Sequence, residues 1–162
     1  MSSSIKILIV DDERDFLDAI EERLGTRGFA ITTADSAEQA LAAAADAKFD
    51  LALVDLQMPG MDGKALLQAL KQSHRFLEVI MLTGHGSIES AVECTKLGAH
   101  AYLTKPCPID RLVEVLQEAY EQRLRRKFER DAKRLEELER LAIGESPLGI
   151  LQRMRQLDDD EK

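Results

Sequence analysis

Apolar residues fall into two alternating patterns along this chain. Short, nearly continuous runs occur at Ile5–Val10, Leu51–Val54, Val79–Leu82 and Ala101–Leu103. A strand buried on both faces shows no polar alternation, so these runs predict four interior strands. A weaker run after Gly28, Ala30–Thr33, predicts a fifth. Between the runs, apolar positions recur at helical spacing over Phe16–Leu24, Ala37–Ala45, Lys64–Leu70 and Ile88–Leu97. Ser36, with Gln39 three residues on, reads as a capping box opening the second helix. Strand and helix in regular alternation predict an α/β fold: a doubly wound, five-stranded parallel sheet, helices on both faces, with right-handed crossovers.

The pattern changes after Pro106 and Pro108. No proline or glycine occurs from Ile109 until Gly144, and Ile109, Val113, Leu116, Tyr120, Leu124, Phe128, Leu135, Leu138 and Ala142 keep helical spacing. This predicts one long C-terminal helix over Ile109–Ala142. From Leu124 the steps alternate four and three, which is heptad-like, with Asp131 interrupting the seam. A helix that projects past its domain cannot bury such a stripe alone, so a homodimer through this helix is expected. Beyond Gly144, the patch Leu148, Ile150, Leu151 and Met154 followed by Asp158–Glu161 predicts a short helix with a frayed end.

Composition narrows the function. The formal charge of -8 opposes a general affinity for nucleic acid or anionic membrane. Residues 121–162 hold eleven Lys or Arg and eleven Asp or Glu, so that charge belongs to the first 120 residues. The basic cluster Arg123, Arg125, Arg126, Lys127 and Arg130 reads as a solvated helix face pairing with nearby glutamates. Cys94 and Cys107 have no metal-ligand spacing with His74, His85 or His100, and two thiols do not make a disulfide framework. Cys94 is expected in helix packing, Cys107 and His74 in loops, and His100 at a strand entry. With no signal-peptide pattern and no apolar stretch of membrane-span length, a cytoplasmic protein is expected.

The chemistry gathers at strand ends. In an open parallel sheet, ligands bind beyond the carboxyl ends of the strands, where strand order reverses. Asp11 and Asp12 end the first strand, Asp55 the third, Thr83 the fourth and Lys105 the fifth. Each pair of like charges a few ångströms apart costs on the order of 4 kcal/mol at an effective dielectric near 20. Proton sharing, the Lys105 ammonium or a hard divalent cation could relieve it. Mg²⁺ suits a site with few carboxylates and room for water and phosphate oxygens, and would let one carboxylate act as nucleophile in phosphoryl transfer. Taken singly, each residue has a plainer reading: helix cap, turn residue or surface cation.

Four stretches, Ile7 to Glu13, Leu53 to Gly63, Met81 to Gly86 and Gly98 to Pro106, resemble in order the motifs of the receiver domains of two-component response regulators. The resemblance covers roughly residues 4 to 120 and implies a flavodoxin-like sheet of order 2-1-3-4-5. It implies that Asp55 accepts a phosphoryl group from a histidine kinase or phosphotransfer protein. By the same resemblance, Asp12, Asp55 and the backbone carbonyl of Gln57 would hold Mg²⁺, and Asp11 would act through water. Thr83 and Lys105 would contact the phosphoryl group, Tyr102 would be an aromatic switch, and the Lys105–Pro106 bond would be cis. Gln57 and His85 sit where the family varies and would tune hydrolysis of the acyl phosphate. Such a domain is a switch rather than an enzyme, catalysing only its own phosphoryl transfer and slow dephosphorylation.

Residues 1–120 are thus expected to be a receiver and 121–162 a helical extension. Ile143-Gly144-Glu145-Ser146-Pro147 resembles the opening of the ATPase module in sigma-54-dependent activators, whose receivers also run into a dimerising helix. The alternative is therefore a regulatory piece of such an activator without its effector domains. An aspartyl-phosphate hydrolase would need a second aspartate where Gln57 stands. A flavin site fits still less, since the loop after the first strand is acidic.

Overall fold

The computed structural model describes residues 4–60, 62–142 and 147–159. Five strands, β1 (Lys6–Val10), β2 (Ala30–Ala34), β3 (Leu51–Val54), β4 (Glu78–Thr83) and β5 (Ala101–Thr104), form one parallel sheet of order β2-β1-β3-β4-β5. Helices α1 (Arg14–Gly25), α2 (Ala37–Asp46), α3 (Gly63–Ser73) and α4 (Ile88–Lys96) connect them. The 34-residue α5 (Ile109–Ala142) follows β5, and α6 (Pro147–Asp159) closes the described chain. The expected fold class, strand order and long helix are all present.

Alternation along the strands splits the core into two layers. Leu8, Val10, Ala52, Val54, Val79 and Met81 face α2, α3 and α4, where Ala40, Leu66, Leu70 and Cys94 meet them. Ile7, Ile9, Leu51, Leu53, Ile80 and Leu82 face the other way, onto Leu17, Ile20 and Leu24 of α1 and Leu112, Val115 and Leu116 of α5. The central strands are therefore apolar through their middles, as their sequence runs require, with polar residues only at their ends: Lys6 on β1, Glu78 and Thr83 on β4. Edge strand β2 alternates exposed and half-buried residues, which is why its signal was weak.

Local chemistry sets the helix starts. Ser36 accepts from Gln39 N–H, and the Gln39 side chain accepts from Asp35 N–H, so the expected reciprocal cap is displaced by one residue. Asp62 caps α3 through Lys64 N–H, and Ser87 and Ser90 form a reciprocal box at α4. Helix α1 begins two residues before its apolar periodicity, after Glu13, which makes no side-chain cap.

The basic cluster departs from expectation. Arg123, Arg126 and Arg130 lie at i, i+3 and i+7, on one face of α5; Arg123 and Arg126 reach acids at the amino-terminal ends of the strands rather than glutamates of their own helix, while Arg130 pairs with the adjacent Asp131. Arg123 donates to Asp50 and to the Phe76 carbonyl, and Arg126 to the buried Glu78 and the Arg75 carbonyl. The guanidinium of Arg130 lies 4.7 Å from the centre of the Phe76 ring. Further along, α6 packs against α5: Leu141 is buried and Arg134 pairs with Asp158. Leu124, Phe128 and Leu135 of the heptad-like stripe remain exposed. The segment Ile143–Ser146, on which the activator resemblance mostly rests, and the tail beyond Asp159 lie outside the described residues. Among the described residues no helix is long and apolar enough to cross a membrane.

Candidate functional site

Parallel strands deliver their carboxyl ends to one edge, and the sequence places three acids at two of those ends, Asp11 and Asp12 after β1 and Asp55 after β3. Asp55 N–H donates to the Val10 carbonyl and Asp11 N–H to the Ala34 carbonyl, so ladder bonds carry on past the strands and fix both residues. Asp11 and Asp55 are buried and Asp12 is exposed. One carboxylate oxygen from each of the three lies within 4.8 Å of the others. Asp11 accepts from Glu13 N–H, which shapes the loop into α1.

Among the described residues, one cation enters the cluster. Lys105 Nζ lies 2.5 Å from Asp11 Oδ2 and 3.8 Å from Asp55 Oδ2, over the Phe16 ring at 4.1 Å. It is thus held chiefly by Asp11, with Asp55 at the limit of an ion pair. The Lys105–Pro106 peptide bond is cis. Burial raises the Asp11 carboxyl above the usual carboxylate range, and the charge of Asp55 adds to this. The Lys105 and Glu13 hydrogen bonds pull the other way without cancelling it.

Asp55 Oδ1 is buried and has no hydrogen-bond partner. Leaving such an acceptor unpaired costs about 1–3 kcal/mol, and more when charged, so this atom calls for a ligand. The donor set is entirely oxygen, as a hard divalent ion requires. The residues therefore fit Mg²⁺, with Asp12 open to solvent where hydrated metal would enter.

Of the remaining expected residues, Gln57 and His85 border the cluster, while Thr83 and Tyr102 make contacts of their own. A crevice lined by Asp12, Glu13, Asp55, Gln57, Met58 and His85 opens above it, and both Gln57 and His85 are exposed. Thr83 is fully buried, its Oγ1 accepting from His85 N–H at 3.1 Å. Tyr102 is half-buried, with its hydroxyl 2.7 Å from Ser90 Oγ. Cys94 is buried, Cys107 half-buried in the loop before α5, and His74 caps the end of α3, as expected.

Two participants had no local signal of their own. Ser90, the partner of Tyr102, is one polar residue on an amphipathic helix. Gly63 was legible only as part of a motif. A Cβ there would stand 2.2 Å from the Asp55 carbonyl oxygen and 2.7 Å from that of Leu56. Its absence lets Gly63 N–H donate to the Leu56 carbonyl, drawing the start of α3 against the loop after β3. Gly60, at φ 87°, makes the turn between them.

Known proteins resemble this chain in sequence and fold. The response regulator receiver domain family matches residues 7–117. The chain is 35% identical over 159 residues to the C4-dicarboxylate transport transcriptional regulatory protein DctD of Rhizobium meliloti, covering 96% of this chain and 34% of that protein. It is 39% identical over 113 residues to the DNA-binding transcriptional regulator NtrC of Salmonella typhimurium, covering 70% of this chain and 24% of that protein. It thus spans about a third or less of these relatives' length. The solved receiver domain of NtrX from Brucella abortus superposes with a TM-score of 0.68 at 41% identity, covering 71% of this chain and 98% of that one. With sheet order, acidic cluster and sequence in agreement, the chain belongs to the response regulator receiver family.

Proposed function

We propose that this chain is a Mg²⁺-dependent phospho-acceptor switch of a two-component system, with Asp55 as the phosphorylated residue. The buried, unpartnered Asp55 Oδ1 carries the reading, because it is a nucleophilic oxygen kept free at the centre of an acidic cluster. A carboxylate oxygen of Asp55 attacks phosphorus as the bond to the donor's imidazole nitrogen breaks, and the bonding pair leaves with that nitrogen. Bound Mg²⁺ supplies charge neutralisation between the acids and the incoming phosphoryl oxygens. Asp12, Asp55 and the Gln57 backbone carbonyl would hold it, and Asp11 would act through water.

Lys105, tethered to Asp11, is within reach of a phosphoryl oxygen on Asp55. Thr83 offers a hydroxyl from the neighbouring strand end, and its movement would free space for Tyr102 to reorient. Gln57 and His85, exposed at the crevice, would control water access to the acyl phosphate. The phosphodonor is a histidine kinase or phosphotransfer protein in the cytoplasm, and the chain catalyses only its own phosphorylation and slow dephosphorylation. Mass spectrometry after incubation with acetyl phosphate and Mg²⁺ should place one adduct on Asp55. An Asp55→Asn protein labelled to the wild-type level would overturn the assignment.

Residues 1–120 act as the receiver and 121–162 as the signalling extension in this reading, which pairs with a second copy through the exposed stripe of Leu124, Phe128 and Leu135. Burying each such side chain is worth roughly 1.5–3 kcal/mol. The double change Leu135→Glu with Leu138→Glu should give monomers in analytical ultracentrifugation while Asp55 still accepts phosphate; an unchanged oligomer would remove the stripe from the interface.

A further inference from the structure

The extension does not leave the receiver at Tyr120. Three arginines of its first turns grip the amino-terminal edge of the sheet. Arg123 Nε donates to Asp50 Oδ1 at 3.2 Å and its Nη1 to the Phe76 carbonyl at 2.6 Å. The other Asp50 oxygen accepts from Lys6 N–H at 2.9 Å, so this carboxylate ties α5 to the start of β1 as well. Arg126 Nη1 donates to Glu78 Oε1 at 2.7 Å and Nη2 to the Arg75 carbonyl at 3.2 Å. Glu78 is only 3% exposed. The ring of Phe76 lies under the guanidiniums of Arg75, Arg126 and Arg130.

Asp50 immediately precedes β3 and Glu78 opens β4. The same two strands end at Asp55 and Thr83 on the opposite edge. Each guanidinium makes one charged contact and one carbonyl contact, a two-point geometry that fixes direction as well as distance. We propose that Arg123 and Arg126, with Arg130 stacked on Phe76, are positioning residues that weld the first turns of the extension to β3 and β4. The heading of residues 121–142, and of the stripe they carry, is then set by the strands that bear the acceptor and its neighbouring hydroxyl. This stands apart from the phospho-acceptor reading, since it needs only the geometry of the lower edge.

Spin labels at Glu22→Cys on α1 and Glu139→Cys on α5, in a Cys107→Ser background, report the heading as a distance distribution. Diluting labelled chain into excess unlabelled chain removes distances between copies. The starting protein should give one narrow peak. Arg123→Ala with Arg126→Ala should broaden it at least about two-fold while circular dichroism shows an intact fold. Arg125→Ala, on a different face of the helix, should leave it unchanged. If the double variant does not fold, Glu78→Gln with Arg126→Gln, which keeps polar groups that can bond to each other, makes the same comparison. A folded variant of either kind with the starting distribution overturns the proposal, as does equal broadening by Arg125→Ala.

Discussion

The two edges of the sheet carry similar acids under opposite arrangements. At the carboxyl-terminal edge, Asp11, Asp12 and Asp55 share one lysine, and Asp55 Oδ1 is left without a partner. At the amino-terminal edge, Asp50 and Glu78 each have an arginine of their own, and Asp50 takes a backbone N–H besides. Burial alone does not separate them, since Glu78 is as buried as Asp55. What separates them is whether the chain supplies the counter-charge. Where it does, the acid holds structure together; where it does not, a carboxylate oxygen is left unsatisfied.

Truncation should divide the edges most sharply. Ending the chain after Tyr120 removes Arg123 and Arg126 and strands the Glu78 carboxylate, and breaking a buried pair this way costs roughly 3–5 kcal/mol. Ending it after Ala132 keeps both arginines and should retain most of the stability in urea unfolding. Equal midpoints for the two truncations would erase the contrast. Next in size is the metal: Asp12→Ala should weaken Mg²⁺ binding at least about tenfold, or ~1.4 kcal/mol, in a fluorescence or calorimetric titration. Asp50→Asn should leave Mg²⁺ affinity untouched.

Smallest, and most diagnostic, is a pair of like substitutions with opposite signs. Asp55→Asn removes charge from a crowded cluster and should raise metal-free stability by about 1 kcal/mol. Asp50→Asn weakens its bond to Arg123 and should lower stability by about the same amount. Thermal melts in chelator read both, and two changes of the same sign would show that the edges do not differ as described.

Much of the carboxyl-terminal edge was readable from sequence because parallel sheets place strand ends together whatever the connecting helices do. The continuous runs gave β3 to the residue and β4 to within one residue at each end. The amino-terminal edge was not readable. Arg123 and Asp50 are 73 residues apart and Arg126 and Glu78 are 48 apart, so no local spacing signals either pair. The arginines looked like a solvated face because glutamates stood nearby in sequence, whereas the fold offered buried acids farther off. The contact of α6 with α5 was hidden for the same reason: the stripe that predicted a partner helix passes through Leu138 and Ala142, and the buried Leu141 lies off it. Gly63 shows a third limit, because a residue needed for what it lacks leaves no periodicity.

The length of α5 has a mechanical consequence. At 1.5 Å per residue its 34 residues make a rod about 51 Å long. From Arg126 to Ala142 some 24 Å of that rod extends past the last carboxylate anchor, by the same rise. A tilt of about 5° at the anchor would sweep the far end sideways by roughly 2 Å, about two-fifths of the pitch of one helical turn. Displacements of a few tenths of an ångström at the strand ends, too small to reshape a surface, would therefore present to any helix packed on the rod a different set of interlocking side chains.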